Sequence, residues 1–220
     1  MREIQERVRV CRHCALSEGR TNPVFGAGSA AARLMFAGEA PGYHEDLQGV
    51  PFVGQAGKLL DKLLARIGLS RRDVYIANVL KCRPPGNRDP QTEEIEMCRA
   101  FLEEQISIIE PVVICSLGNF ATKLLSGKPD GISRVRGRTQ PLAGREALLF
   151  PVYHPAAALY TPGNLKVLES DFDLLAGLLG QPRTQPEVET GNAAPSPAAK
   201  EPEPPGETYG EAGGNQLGLF

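Results

Sequence analysis

Two carboxylates, an aromatic ring, an asparagine and a histidine stand in short, tightly constrained stretches of this chain. Glu39 lies in Gly38-Glu39-Ala40-Pro41-Gly42, and Glu45 and Phe52 follow within the next residues, which run to Gly54-Gln55-Ala56-Gly57. Asn78 comes near the end of an apolar run, and His154 directly follows another. Carboxylates and histidines are the groups that orient water, move protons or hold developing charge. An asparagine amide offers a donor and an acceptor side by side, which suits the edge of a nucleobase. A ring such as Phe52 can stack on an extruded base. Each also has an ordinary use: Asn in turns and caps, Phe and His in packing. Glycines here allow close backbone approach, and Pro41 and Pro51 stiffen the loop. Functional residues concentrate on loops held in this way by rigid elements.

The five cysteines offer a second chemistry. Cys11 and Cys14 form a C-x2-C pair, Cys82 lies in the Pro-rich stretch Lys81–Pro90, and Cys98 follows in a helical pattern. Together they make a tetrathiolate that suits zinc or an iron–sulfur cluster, and spacing does not separate the two. The plain alternative is four unrelated thiols, with Cys98 part of a buried helix stripe. A shared centre would staple the N-terminal helix to the loop from Lys81 to Asp89, with no sign of redox catalysis. Cys115 sits in the middle of an apolar run and reads as a small buried hydrophobe. Arg134, Arg136 and Arg138, and likewise Lys81, Arg83 and Arg88, could contact phosphates or simply be solvated.

The elements that must position these groups alternate. Strands are expected at about Arg33–Ala37, Val74–Leu80, Val112–Leu117 and Ala147–Tyr153. Helices are expected at Glu3–Cys14, Lys58–Ile67, from an N-cap at Thr92, through Leu125, and at Leu165–Leu179. The third helix would bury Ile95, Cys98, Phe101, Leu102 and Ile106. Alternation of this kind predicts an α/β fold, an αβα sandwich around a mostly parallel four-stranded sheet. Parallel topology would bring Glu39, Asn78 and His154 to one rim, at the carboxyl ends of the strands.

The chain has 220 residues and a net charge of −2. Two of its 24 basic and six of its 26 acidic residues fall in 181–220, so residues 1–180 carry +2. One domain is expected over 1–180, then a disordered linker over 181–215 rich in Pro, Glu, Ala and Gly. No apolar run approaches the ~20 residues of a membrane span, and the charged N-terminus lacks a signal-peptide core. A cytoplasmic protein with reduced thiols is therefore expected.

In combination these stretches resemble the family 4 uracil-DNA glycosylases, the iron–sulfur branch of that superfamily. The resemblance rests on Gly38-Glu39-Ala40-Pro41-Gly42 with Glu45-Asp46, Pro51-Phe52-Val53-Gly54, and Asn78 through Arg83-Pro84-Pro85. Asn87-Arg88 and His154-Pro155-Ala156 complete it. It implies an enzyme that extrudes uracil from DNA and hydrolyses its N-glycosidic bond, and a 4Fe–4S cluster on Cys11, Cys14, Cys82 and Cys98. It places Glu39, Ala40, Pro41, Glu45, Phe52, Asn78 and His154 around uracil. Phe52 would stack, Asn78 would pair with the O4 and N3–H edge, Glu45 would crowd out thymine's methyl, and His154 would donate towards O2. Family 1 enzymes carry an aspartate where Ala40 stands, so Glu39 or Asn78 would orient the water, or leaving-group stabilisation would dominate. Lys81, Arg83, Arg88, Arg134 and Arg136 would face DNA, and Leu159 would wedge into the duplex or pack a helix. The rival reading is a non-catalytic nucleic-acid-binding module with a structural metal.

The chain ends in Gln216-Leu217-Gly218-Leu219-Phe220, which resembles the bacterial sliding-clamp-binding pentapeptide. Leu219 and Phe220 would fill an apolar pocket, with Leu217 alongside and Gln216 bonding at its edge. A flexible linker of this length reaches about 30 Å, enough for a tethered search along DNA by an otherwise monomeric protein.

Overall fold

Strands with no solvent face need apolar side chains along their whole length, and every residue of the three central runs is indeed buried. The structure, a computed structural model, describes residues 1–180; the linker and the terminal peptide lie outside the described residues. The chain runs α1 (Arg2–Val10), α2 (Leu16–Gly19), β1 (Ala27–Gly28), β2 (Leu34–Gly38), α3 (Tyr43–Gln48), α4 (Gln55–Arg66) and β3 (Tyr75–Asn78). It continues through α5 (Thr92–Ile109), β4 (Val113–Leu117), α6 (Asn119–Ser126), α7 (Ile132–Val135), β5 (Gln140–Pro141), β6 (Leu148–Val152), α8 (Ala156–Tyr160) and α9 (Gly163–Leu178). Among the described residues no helix is long and apolar enough to cross a membrane.

The sheet order is β1-β3-β2-β4-β6-β5. β3, β2, β4 and β6 are parallel, as the alternating pattern predicts. The two-residue strands β1 and β5 add antiparallel edges, too short to carry any periodicity. Successive side chains point to opposite faces and divide the core in two. Met35, Ala37, Tyr75, Ile114 and Leu149 pack with α1 and α5, and Leu34, Phe36, Ile76, Cys115 and Phe150 pack with α4 and α9. That is an αβα sandwich, with Cys115 in its core.

Three local features depart from the pattern. Helix α1 stops at Val10, and Cys11 is extended (φ −58°, ψ 136°), so the C-x2-C pair lies beyond the helix. The loop after β2 contains α3, which has no apolar stripe to reveal it and is closed by left-handed Gly49 (φ 69°). The cap of α5 is Gln91, one residue before Thr92. The Glu94 carboxylate accepts its N–H at 2.9 Å while also binding Arg88, and this reciprocal cap overrides the local preference for threonine.

Between α7 and β5, Arg136 corrects an expectation. Its guanidinium does not face phosphate but grips the fully buried Asp171 of α9 through Nε at 2.9 Å and through Nη2, and lies over Tyr153. Gly137 (φ 69°) makes room, since a Cβ there would come within 2.7 Å of Asp171 Oδ1. Removing one partner of a buried pair strands the other. Arg136→Ala is expected to lower stability by about 3 kcal/mol, read from urea denaturation.

The chain winds from β2 to β3 on one side and then crosses to β4 on the other. This switch opens a crevice at the carboxyl ends of the strands, where open α/β sheets bind ligands.

Candidate active site

A cavity of about 240 Å³ occupies that crevice. Glu39, Ala40 and Pro41 reach it from the end of β2, Glu45 from α3, Phe52 from the loop before α4, Asn78 from β3 and His154 from β6. All seven line it, along with Asn87 and Arg88 of the Pro-rich loop.

Gly38 ends β2 where a side chain has no room. A Cβ would fall 2.3 Å from Asn78 Oδ1 and 2.7 Å from Phe52 Cζ, so the amide and the ring meet over bare backbone. Asn78 is 2% exposed, and its Oδ1 is buried without a hydrogen-bond partner. Leaving a buried acceptor unpaired costs about 1–3 kcal/mol. The oxygen is therefore placed for a donor that arrives with a ligand.

His154 supplies the opposite polarity. Its Nδ1 accepts the Ala156 N–H at 3.2 Å, which leaves the proton on Nε2. Desolvation pushes the imidazole pKa down to about 4, partly opposed by Glu45, so the ring is a neutral N–H donor near pH 7. It stacks on Phe52, with ring centroids 5.5 Å apart. Glu39 is shifted the other way: desolvation and the neighbouring charge of Asp89 raise it to about 7. Glu45 also holds the loop, because its Oε1 accepts the N–H groups of Val53 and Gly54 at 2.8 Å each.

The thiols gather beside this site. Cys82 and Cys98 are buried, and Cys11 and Cys14 pack against the same core. All four are free, and their charges are coupled: Cys11 and Cys14 act on Cys82, and Cys82 and Cys14 on Cys98. Desolvation pushes Cys82 up, and Cys98 to about 11. Arg20 Nη1 donates to Cys82 Sγ at 3.1 Å, and the Lys81 N–H to Cys98 Sγ at 3.3 Å. Donors aimed at sulfur are what a thiolate-held centre uses. Among the described residues, no three His, Cys, Asp or Glu side chains close around one point tightly enough for a single metal ion.

The cations expected at DNA divide. Lys81 is a correction: it is 1% exposed, with Nζ donating to the Asn78 carbonyl at 2.8 Å and to Gln105 Oε1 at 2.7 Å. It cannot reach a phosphate. Arg83 stacks on exposed Tyr43 and donates to Asn87 Oδ1. Arg88 is exposed at the cavity while paired with Glu94. The Arg134 side chain is 83% exposed, as are Leu159 by 48% and Tyr160 by 87% at the end of α8. Sequence reasoning assigned no pocket role to Asn87, whose left-handed backbone (φ 55°) turns the Pro-rich loop to the cavity. An Asn between Gly and Arg after two prolines was the available signal, since Asn tolerates that conformation.

This fold and cavity agree with what the chain is similar to. A family model described as the uracil DNA glycosylase superfamily matches residues 25–174. A type-4 uracil-DNA glycosylase of Saccharolobus solfataricus is 50% identical over 77% of this chain and 82% of its own length. Another, from Archaeoglobus fulgidus, is 47% identical over 81% of this chain and 93% of its own. One from Thermotoga maritima is 46% identical over 74% of this chain and 85% of its own. The chain belongs to the uracil-DNA glycosylase superfamily, in its type-4 branch.

Gly38→Ala would force Asn78 and Phe52 apart. A displacement of about 1 Å in a positioned group can cost roughly 100-fold, and a loss of that size in glycosylase kcat/KM is expected from steady-state kinetics.

Proposed function

We infer that the protein is a monofunctional uracil-DNA glycosylase that hydrolyses the N-glycosidic bond of uracil in DNA, leaving an abasic site for base excision repair. The observation that carries this is the buried, unpaired Asn78 oxygen in a base-sized cavity. Uracil N3–H supplies the missing donor, and the Asn78 amide N–H meets O4. Cytosine presents the reverse pattern and leaves both groups unpaired, at about 1–3 kcal/mol each. Phe52 stacks on the base, and Glu45, held by the Val53 and Gly54 N–H groups, faces C5 and excludes thymine's methyl. His154 donates its Nε2–H to O2. A neutral donor fixed before the reaction stabilises the departing anion without reorganisation.

With Asn78 engaged by the base and Ala40 unable to act, Glu39 orients the attacking water. It does so as the carboxylate, which forms as pH rises through about 7. Arg83, Arg88 and Arg134 hold phosphates, and Leu159 enters the stack.

Cys11, Cys14, Cys82 and Cys98 would hold a 4Fe–4S cluster. Their thiol-only donor set and the N–H groups on Cys82 and Cys98 suit such a thiolate-held centre, and the likeness to the iron–sulfur branch of the family favours the cluster over zinc. Held there, it would supply a structural cross-link between the end of α1, the Pro-rich loop and α5, and no step of the hydrolysis would run through it. The C-terminal pentapeptide binds a bacterial sliding clamp.

Incubating the protein with a uracil-containing oligonucleotide and then alkali is expected to break the strand at uracil, and not at cytosine or thymine in its place. No scission by iron-replete protein would instead indicate a non-catalytic nucleic-acid-binding module. The pH profile of kcat/KM is expected to rise with pH up to about 7 and then level off. Glu39→Gln should lower the plateau and remove that limb, while unchanged turnover would refute the role of Glu39. Iron and acid-labile sulfide should be recovered in equal amounts without zinc, and Cys82→Ser should lose the brown colour. Deleting residues 216–220 should abolish clamp binding and leave excision on short oligonucleotides intact.

A further inference from the structure

Phe52 carries its ring into the cavity from a backbone conformation that residues other than glycine rarely hold, with φ 55°. Strained backbone of this kind persists only when its surroundings over-determine it. Arg71, in the turn between α4 and β3, supplies much of that determination. Its Nη1 donates to the Pro51 carbonyl at 2.9 Å and its Nη2 to the Phe52 carbonyl. Asp61 of α4 orients the guanidinium through Nε at 2.6 Å. From the other side Gly57 presses its bare Cα on the same carbonyl: a Cβ there would lie 1.6 Å from Phe52 O. Downstream, the Val53 and Gly54 N–H groups are taken by Glu45. The peptide units around Phe52 are thus gripped by a cation on their carbonyl side and by a carboxylate on their amide side.

We propose that Arg71 is a positioning residue for uracil recognition, holding Phe52 in its left-handed backbone so that the ring stays the stacking surface of the pocket. Arg71 makes no contact with the base; it acts through Phe52. This rests on the assignment of Phe52 as the surface on which uracil stacks. A planar, forked guanidinium can bridge two adjacent carbonyls and a carboxylate, whereas an ammonium on a flexible stem is a poorer match. Stacking is made equally in ground and transition states, so its loss should appear in KM and not in kcat.

The test measures KM, kcat, competitive inhibition by free uracil and melting temperature for Phe52→Ala, Arg71→Ala, Arg71→Lys and the double variant Phe52→Ala/Arg71→Ala. Base–aromatic stacking is worth enough that Phe52→Ala should weaken uracil inhibition by about tenfold. Arg71→Ala should weaken it by a similar factor and raise KM, with kcat within about threefold. Arg71→Lys should fall between Arg71→Ala and the unaltered protein. In the Phe52→Ala background the further change to Arg71→Ala should leave uracil inhibition where it was, because contributions routed through one ring do not add. Should Arg71→Ala not fold, Asp61→Asn, at an exposed position, tests the same grip and should weaken inhibition by about threefold, roughly the size of one lost surface ion pair. A lower melting temperature with unchanged uracil inhibition would reduce Arg71 to a purely structural residue. A full additional loss on top of Phe52→Ala would do the same. Unaltered inhibition in Phe52→Ala would instead overturn the stacking assignment, and the role of Arg71 with it.

Discussion

The missing side chain at residue 38 is the constraint on which the site depends. β2 is the strand from which the sheet winds both ways, with β3 on one side and β4 on the other, so its carboxyl end is the crossing point of the fold. Only a bare Cα there lets the Asn78 amide and the Phe52 ring approach within contact of each other's environment. The glycine is needed for space and not for a positive φ. The cavity, the unpaired amide oxygen and the ring that closes it all follow from that vacancy in the backbone.

Around this point the protein sets charge by removing water. The same desolvation that keeps His154 neutral holds Glu39 partly protonated near neutrality, because burial disfavours whichever form is charged. A neutral imidazole and a carboxyl group poised between its two forms thereby line one cavity. Buried Lys81 joins this site to the thiol cluster. Its ammonium fixes the Asn78 carbonyl and Gln105, and its backbone N–H meets Cys98. Cys98 and Asn78 are therefore neighbours in one hydrogen-bonded unit, so a centre held by the thiols would brace the cavity wall.

Backbone strain marks the same region. Phe52 and Asn87, two of the three non-glycine residues with positive φ among those described, both line the cavity. Such conformations need support from neighbours, and the structure provides it with Arg71, Gly57 and Glu45 at Phe52 and with Arg83 at Asn87. Rigidity of this kind suits a pocket that must discriminate bases differing by a methyl group or an exchanged donor and acceptor.

The sequence by itself determined the four parallel strands, the αβα layering and the meeting of Glu39, Asn78 and His154 at one rim, while the other four residues expected around the cavity came from the family resemblance. Buried parallel strands must be apolar throughout, and a site at their carboxyl ends draws on the residues that directly follow them, as Glu39 and His154 do. Four thiols with one C-x2-C pair pointed to a shared centre, and the fold brings all four against one core. Tertiary structure decided what each cation does. Lys81 and Arg136 look like phosphate ligands in a linear reading, because a basic side chain carries no mark of the acceptor it will find inside the fold. Gln105 and Asp171, the groups that claim them, lie 24 and 35 residues further along the chain. Arg71 was invisible for the same reason. Its importance lies in two backbone carbonyls about twenty residues upstream, and carbonyl direction is a property of the folded chain, not of residue type.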